Sequence, residues 1–249
     1  ATAVEVLPAV ATGATAAALV VGPGVVSDGD RLTGSADHVV DGGPADLLVV
    51  ANESRLWLLD ATATGVEVRP AATLDRTRSY ATVRLEGATA RPVGDPAAAA
   101  AAVDLLRVGL AVEAVGLARR CLELTVEHLK TRVQFGKPIG SFQALQHRCA
   151  DLAVSLEAAT STAYYAAWAA ADSPAELPVV APLAKSVCTD AAYAVAAETI
   201  QLHGGVGFTW EHDAHLYFKR ATVLRSLLGD SHAQRQLVAT RSGVLAGSR

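Results

Sequence analysis

Between Val93 and Pro96 the hydrophobic pattern of this chain changes its period. Before that point, short aliphatic and β-branched runs alternate with Gly, Asp, Asn and Pro: Leu47 to Val50, Arg55 to Leu59, Val66 to Arg69 and Thr82 to Leu85. Such runs between turn residues predict strands. After it, apolar residues return every three or four positions, as in Val103, Leu106, Leu110, Ala114, Leu117, Cys121 and Leu124. That spacing predicts a helix over Val103 to Thr131. Further helices are expected over Phe142 to Ala171, Val179 to His203, Ala214 to Ser226 and Ser231 to Val244. Asp172-Ser173-Pro174 closes the second and Gly204-Gly205 caps the third. Four or five amphipathic helices bury their apolar faces best as an up-down bundle. The expected fold class is therefore α+β: a small β-domain within residues 1–96, with Val93 to Pro96 as linker, then a four-helix-bundle domain over 97–249. No internal repeat is visible.

The 249 residues carry a formal net charge of −4 with dispersed basic residues, which leaves no electrostatic footprint for nucleic acid. No apolar stretch of membrane-spanning length is free of charges or helix breakers, so no span is expected. Cys121, Cys149 and Cys188 are odd in number and widely spaced, without a metal-ligand pattern. They are expected as small buried side chains, and free thiols of that kind suit a reducing cytoplasm. The abundant alanine, unbroken from Ala97 to Ala102, favours helix.

Two segments stand out for chemistry. Arg132-Val133-Gln134-Phe135-Gly136-Lys137-Pro138-Ile139, followed by Phe142-Gln143, joins a cation, an aromatic ring and a turn glycine just after a helix. Gln201-Leu202-His203-Gly204-Gly205-Val206-Gly207-Phe208 is a glycine-rich turn after another helix, where backbone can approach a ligand closely. A guanidinium suits a pyrophosphate, and amides suit ribose or adenine. Taken alone, an arginine at a helix end complements the helix dipole, and a glycine cluster there is a C-cap.

The combination R-x-x-F-G-x-P-I-x-x-F-Q-x-x-Q with Q-x-x-G-G-x-G-F resembles the C-terminal helical domain of the acyl-CoA dehydrogenases. Those flavoenzymes oxidise the Cα–Cβ bond of an acyl-CoA. Arg31-Leu32-Thr33-Gly34, as a turn, and Ala45 to Val50, as a following strand, resemble parts of the family's β-domain, and Leu7-Pro8-Ala9 with Thr12-Gly13 the end of its N-terminal helical domain. The rest of that first domain is expected to lie outside this chain. The resemblance implies FAD, held at its adenosine-pyrophosphate end by Arg132, Gln134, Phe135, Phe142, Gln143, Gln201, Leu202, His203, Gly204 and Gly205. Gln146 is a further helix amide beside them, and His203 reads as structural rather than catalytic. Asp104 and Arg107 match the family's D-x-x-R beside the acyl-CoA thioester; as an i, i+3 pair they also read as a simple ion pair.

The sequence departs from the family at the catalytic base. The carboxylate of the family's Y-E-G-T-like turn is matched by Leu228 in Leu227-Leu228-Gly229-Asp230, and the alternative base position on the first bundle helix by Leu106. On the flavin-ring side, Val21-Gly22-Pro23-Gly24 and His38-Val39-Val40 stand where relatives carry hydroxyl donors. The chain thus resembles the non-catalytic subunit of heteromeric α₂β₂ acyl-CoA dehydrogenases of actinobacteria, several of which act on sterol-derived thioesters. No catalytic residue is expected from it. Its partners would be a paralogous subunit, an acyl-CoA and an electron-transfer flavoprotein or similar acceptor. The rival readings are a self-sufficient homotetramer with Asp230 as a relocated base, and an interaction protein that has lost FAD.

Overall fold

The computed structural model describes residues 3–22 and 24–244. It divides into two compact units, one running to Val103 and one from Asp104 onward.

The first unit opens with α1 (Ala3–Ala11) and then builds two four-stranded sheets. The first sheet has the order β1-β4-β5-β8 and the second β2-β3-β7-β6. The strands are β1 (Ala17–Val21), β2 (Val26–Asp28), β3 (Arg31–Val40), β4 (Leu47–Ala51), β5 (Leu56–Asp60), β6 (Val66–Pro70), β7 (Tyr80–Thr89) and β8 (Arg91–Gly94). β1 runs parallel to β4 with Ala17 opposite Leu47; the other pairings are antiparallel. Alternate residues of both sheets enter one core: Val20, Leu48, Val50, Trp57 and Leu59 from the first, Leu32, Ala36, Val83, Leu85 and Ala88 from the second. This is the period-two burial of a sandwich.

Val93 to Pro96 is not a linker. Strand β8 runs to Gly94, and Asp95 caps the helix that follows, its side chain accepting the Ala98 N–H at 2.8 Å. Pro96 then takes the first helical position, where a missing N–H costs nothing. Helix α2 (Pro96–Thr131) therefore begins seven residues before its apolar stripe does. The alanine run has strong helix propensity but no periodicity to read.

The second unit is helical: the body of α2, α3 (Gln143–Asp172), α4 (Leu177–His203), α5 (Ala214–Ser226) and α6 (Ser231–Arg241). α4 is central, packing against α3, α5 and α6. By length and composition α4 could cross a membrane, but 67% of its most apolar window is buried inside the protein. The contacts are made largely by alanine. Ala111, Ala114 and Ala118 on α2, Ala159 and Ala166 on α3, and Ala181, Ala184, Ala192 and Ala196 on α4 have no exposed surface. Small side chains let helix backbones approach closely, so the composition reflects packing as well as propensity. Cys121 and Cys188 are buried as expected, and burial pushes both thiols up to about 12; Cys149 is only half-buried.

The tightness of α4 is testable. Ala196→Leu should overpack the bundle and lower stability by about 1–3 kcal/mol in urea unfolding, with helix content kept. An unchanged midpoint would contradict close packing at this position.

Candidate functional site at one end of the helical unit

Helix α2 stops at Thr131 and the chain turns at once into a hairpin, β9 (Val133–Gln134) against β10 (Lys137–Pro138). The carbonyl of Arg132 accepts the Ile139 N–H at 2.8 Å and closes its base. The two turn residues, Phe135 and Gly136, have φ of 54° and 76°. Two successive positive φ values make the turn whose twist matches a hairpin. Glycine adopts it freely, whereas a phenylalanine there costs about 1–2 kcal/mol. Phe135 is nevertheless 89% exposed, so burial within this chain does not offset that strain. Its ring meets the edge of Phe142 at 6.0 Å between centroids, and the Lys137 ammonium lies 4.4 Å over the Phe142 ring. Phe142 is the N-cap residue of α3, and Gln143 begins the helix. Arg132, Gln134 and Gln143 are exposed, while the Gln146 amide donates to the Gly140 carbonyl at 2.9 Å.

The second motif lies at the same end of the unit. His203, in the last turn of α4, stacks on His128 of α2 at 4.4 Å between ring centroids and meets His212 in a tilted contact, also at 4.4 Å. His128 in turn accepts the Arg132 backbone N–H through its carbonyl. The rings thus clamp the C-terminal ends of α2 and α4 together. His203 Nδ1 lies 2.7 Å from the Thr199 carbonyl, which can only accept, so Nδ1 carries the proton. Burial lowers the pKa of His203 and of His128, with the Arg132 charge adding to the second. Beyond His203, Gly204 has φ 65° and ψ −145°, a conformation essentially restricted to glycine. Gly207 is glycine for packing: a Cβ there would sit 2.9 Å from the Ile200 carbonyl oxygen. Gly205 has neither reason, since a Cβ would meet nothing within 4 Å and its φ is not positive. Gln201 is exposed, but Leu202 and His203 turn their side chains into the core. Those two can meet a ligand only through their backbone.

A third feature is a pinned turn between α5 and α6. Leu228 and Gly229 have φ of 57° and 91°. The Leu228 carbonyl accepts from Gln234 Nε2 at 2.6 Å, and the Gly229 carbonyl from Lys185 Nζ at 2.5 Å. Lys185 is fully buried and also donates to the Arg225 carbonyl at 2.8 Å; burial pushes its ammonium down to about 8. Asp230 caps α6 by accepting the Ala233 N–H at 2.9 Å. Gln234 carries the network inward, accepting Arg107 Nε at 3.0 Å. Arg107 Nη1 donates to Asp104 at 2.6 Å, and Arg241 Nη1 donates to the same carboxylate at 2.9 Å and to the Pro178 carbonyl at 2.7 Å.

Comparison with known proteins places this arrangement. Residues 96–243 match the family model for the acyl-CoA dehydrogenase C-terminal domain. The chain belongs to the acyl-CoA dehydrogenase family. It is 45% identical to acyl-CoA dehydrogenase IpdE2 of Mycobacterium tuberculosis over 195 residues, which is 77% of this chain and 56% of that protein. It is 38% identical over 242 residues to acyl-CoA dehydrogenase FadE34 of the same organism, covering 95% of this chain and 34% of that protein. The chain therefore spans about half the length of the first of these relatives and about a third of the second. Among solved structures, the Tcur3481-Tcur3483 steroid ACAD superposes with a TM-score of 0.90 at 30% identity, over 98% of this chain and 72% of that one.

In this acyl-CoA dehydrogenase chain the residues sort into four groups. The bundle end carries exposed Arg132, Gln134, Phe135, Gln143 and Gln201 with an open Gly204-Gly205. The pair Asp104 and Arg107, expected beside a thioester, belongs to the buried network: Asp104 is 2% exposed and binds two guanidinium groups. At the two base positions, Leu106 and Leu228 are half-buried and pack against the helical core. In the β-unit, Val39 is buried, and His38 sits at φ 55° in a bulge of β3 between Ala36 and Val39. Pro23, expected on the same side, lies outside the described residues.

Sequence reasoning missed His128, His212, Lys185, Gln234 and Arg241. A lysine alone in an apolar helix was the available signal for a buried polar network. Asp104→Ala should leave Arg107 and Arg241 facing each other inside the bundle and cost about 3–5 kcal/mol in chemical denaturation. A loss below about 1 kcal/mol would contradict this account of the pair.

Proposed function

We propose that this chain is a subunit of a flavin-dependent acyl-CoA dehydrogenase that grips the adenosine-pyrophosphate end of FAD but supplies no catalytic base. The observation that carries the reading is the pinned turn at Leu228. Its left-handed backbone is held by Gln234 and Lys185 through the Leu228 and Gly229 carbonyls, yet the side chain at the family's base position is a leucine. A strained turn kept by three hydrogen bonds, without a group able to accept a proton, is scaffold without chemistry.

The residues at the bundle end fit the cofactor. Arg132 would meet the pyrophosphate, Gln143 and Gln201 the ribose or adenine edge, and the Gly204-Gly205 backbone the adenosine. Gly205, which nothing among the described residues requires to be glycine, is explained by such an approach. Phe135, strained and exposed, would cover the ligand. Bound FAD supplies the two-electron acceptor for oxidation of the Cα–Cβ bond. The flavin-ring donors and the base would come from a paralogous subunit, and an electron-transfer flavoprotein or similar acceptor would reoxidise the complex. The solved relatives that support a two-chain assembly include the Tcur3481-Tcur3483 protein and the ChsE4-ChsE5 complex of Mycobacterium tuberculosis, the latter 28% identical with a TM-score of 0.82 over 93% of this chain and 67% of that one. The steroid ACAD makes a steroid-derived acyl-CoA the first substrate to try.

Two measurements test the reading in the complex assembled with the paralogue. Arg132→Ala removes a charge-assisted contact of about 1.5–3 kcal/mol, so flavin affinity should fall about tenfold or more at unchanged fold. Arg132→Lys should rescue poorly because the planar fork is lost. Unchanged affinity in both variants would refute the assignment.

Asp230→Asn keeps the helix cap, since Asn caps as well as Asp. Turnover should stay within a few-fold of wild type. Abolished turnover with FAD still bound would make Asp230 the base and this chain a catalytic subunit.

A further inference from the structure

The histidine stack has a property that neither grip nor packing requires. His212 Nδ1 accepts the Ala214 backbone N–H at 3.1 Å. A backbone N–H can only donate, so Nδ1 is the accepting nitrogen of that ring. That bond sits at the start of α5, whose first residue is Ala214. His212 therefore cannot take up a proton without losing its hold on the helix start. His203, protonated at Nδ1 by its bond to the Thr199 carbonyl, can gain charge only at Nε2. The charges that bear on the His128 and His203 rings are one another, His212 in the loop and Arg132 just beyond α2. Each is cationic or becomes so in acid, and His128, His203 and His212 lie in one run of 4.4 Å contacts.

We propose that the His128–His203–His212 stack is an acid-sensitive latch, which holds the segment 204–213 against the ends of α2 and α4 while its rings are neutral and releases it when His212 is protonated. The segment carries exposed Phe208 and Trp210 together with the Gly204-Gly205 turn, so release would free a whole surface at once. The latch stands on ring and hydrogen-bond geometry and does not need the flavin reading. The sign follows from linkage. Burial holds His128 and His203 below the ordinary imidazole value of 6.5, so the released rings bind protons more readily than the stacked ones. Their contribution to holding the segment is present above about pH 6.5 and is lost as pH falls below it.

The test is amide hydrogen exchange of the whole chain between pH 7.5 and 5.5, corrected for intrinsic rates. Wild type should lose at least tenfold protection at Ala214 and Leu216 over that range, while amides in the middle of α3 do not. His212→Asn places a non-titrating oxygen where Nδ1 stood and should keep protection at pH 5.5 within about threefold. Flat protection in wild type, or equal acid loss in His212→Asn, would overturn the latch. If the variant folds poorly, ¹⁵N imidazole shifts of wild type decide. A pyridine-type Nδ1 on His212 at pH 7.5 that becomes protonated as protection falls supports it. A His212 ring protonated while the segment stays protected overturns it.

Discussion

One buried imidazole, His203, makes a site out of two distant motifs. The hairpin after α2 and the glycine turn after α4 lie some seventy residues apart in the chain. Each alone is an ordinary helix terminus. They share one end of the unit because His203 stacks on His128 and holds the Thr199 carbonyl within α4. Thr125 and Thr199 reinforce the same helix pair about one turn further in, with their hydroxyls 3.1 Å apart. The stack therefore does for the bundle end what a core does for a domain. It fixes the backbones from which Arg132, Phe135, Gln201 and Gly205 project.

The opposite economy governs the turn between α5 and α6. Leu228 and Gly229 keep a left-handed backbone at a local cost, and Lys185 and Gln234 offset it with hydrogen bonds to their carbonyls. Lys185 and Gln234 are fully buried and connected through Arg107 to Asp104. A half-satisfied network of this kind would be worse than none, which explains why Arg241 and the Pro178 carbonyl complete it. The polar investment is structural, and leucine stands where a proton acceptor would be needed. Grip and chemistry are thus separate properties of one scaffold.

Much of this was legible in the sequence. The helix limit at His203 coincides with its Gly204-Gly205 stop, because backbone chemistry alone sets that end. The strands β1 and β2 were not read because they are short, and Arg31 to Gly34, expected as a turn, instead opens β3, whose alternation is interrupted by Gly34 and the bulge at His38. The hairpin at Phe135 escaped because a phenylalanine in a left-handed turn is the reverse of turn propensity. Asp104 and Arg107 illustrate a deeper limit. Their i, i+3 spacing is visible, but Gln234 and Arg241 arrive from more than 120 residues away, and only the fold shows that the pair is occupied.

The central claim is that this chain completes a flavin site without owning one. It is tested most directly by counting flavin per polypeptide, by absorbance and amino-acid analysis, in the chain purified alone and in the complex with its paralogue. The account expects a colourless chain alone and one FAD for every two polypeptides in the complex. One FAD on every polypeptide, or a yellow and active protein from this chain alone, would contradict it.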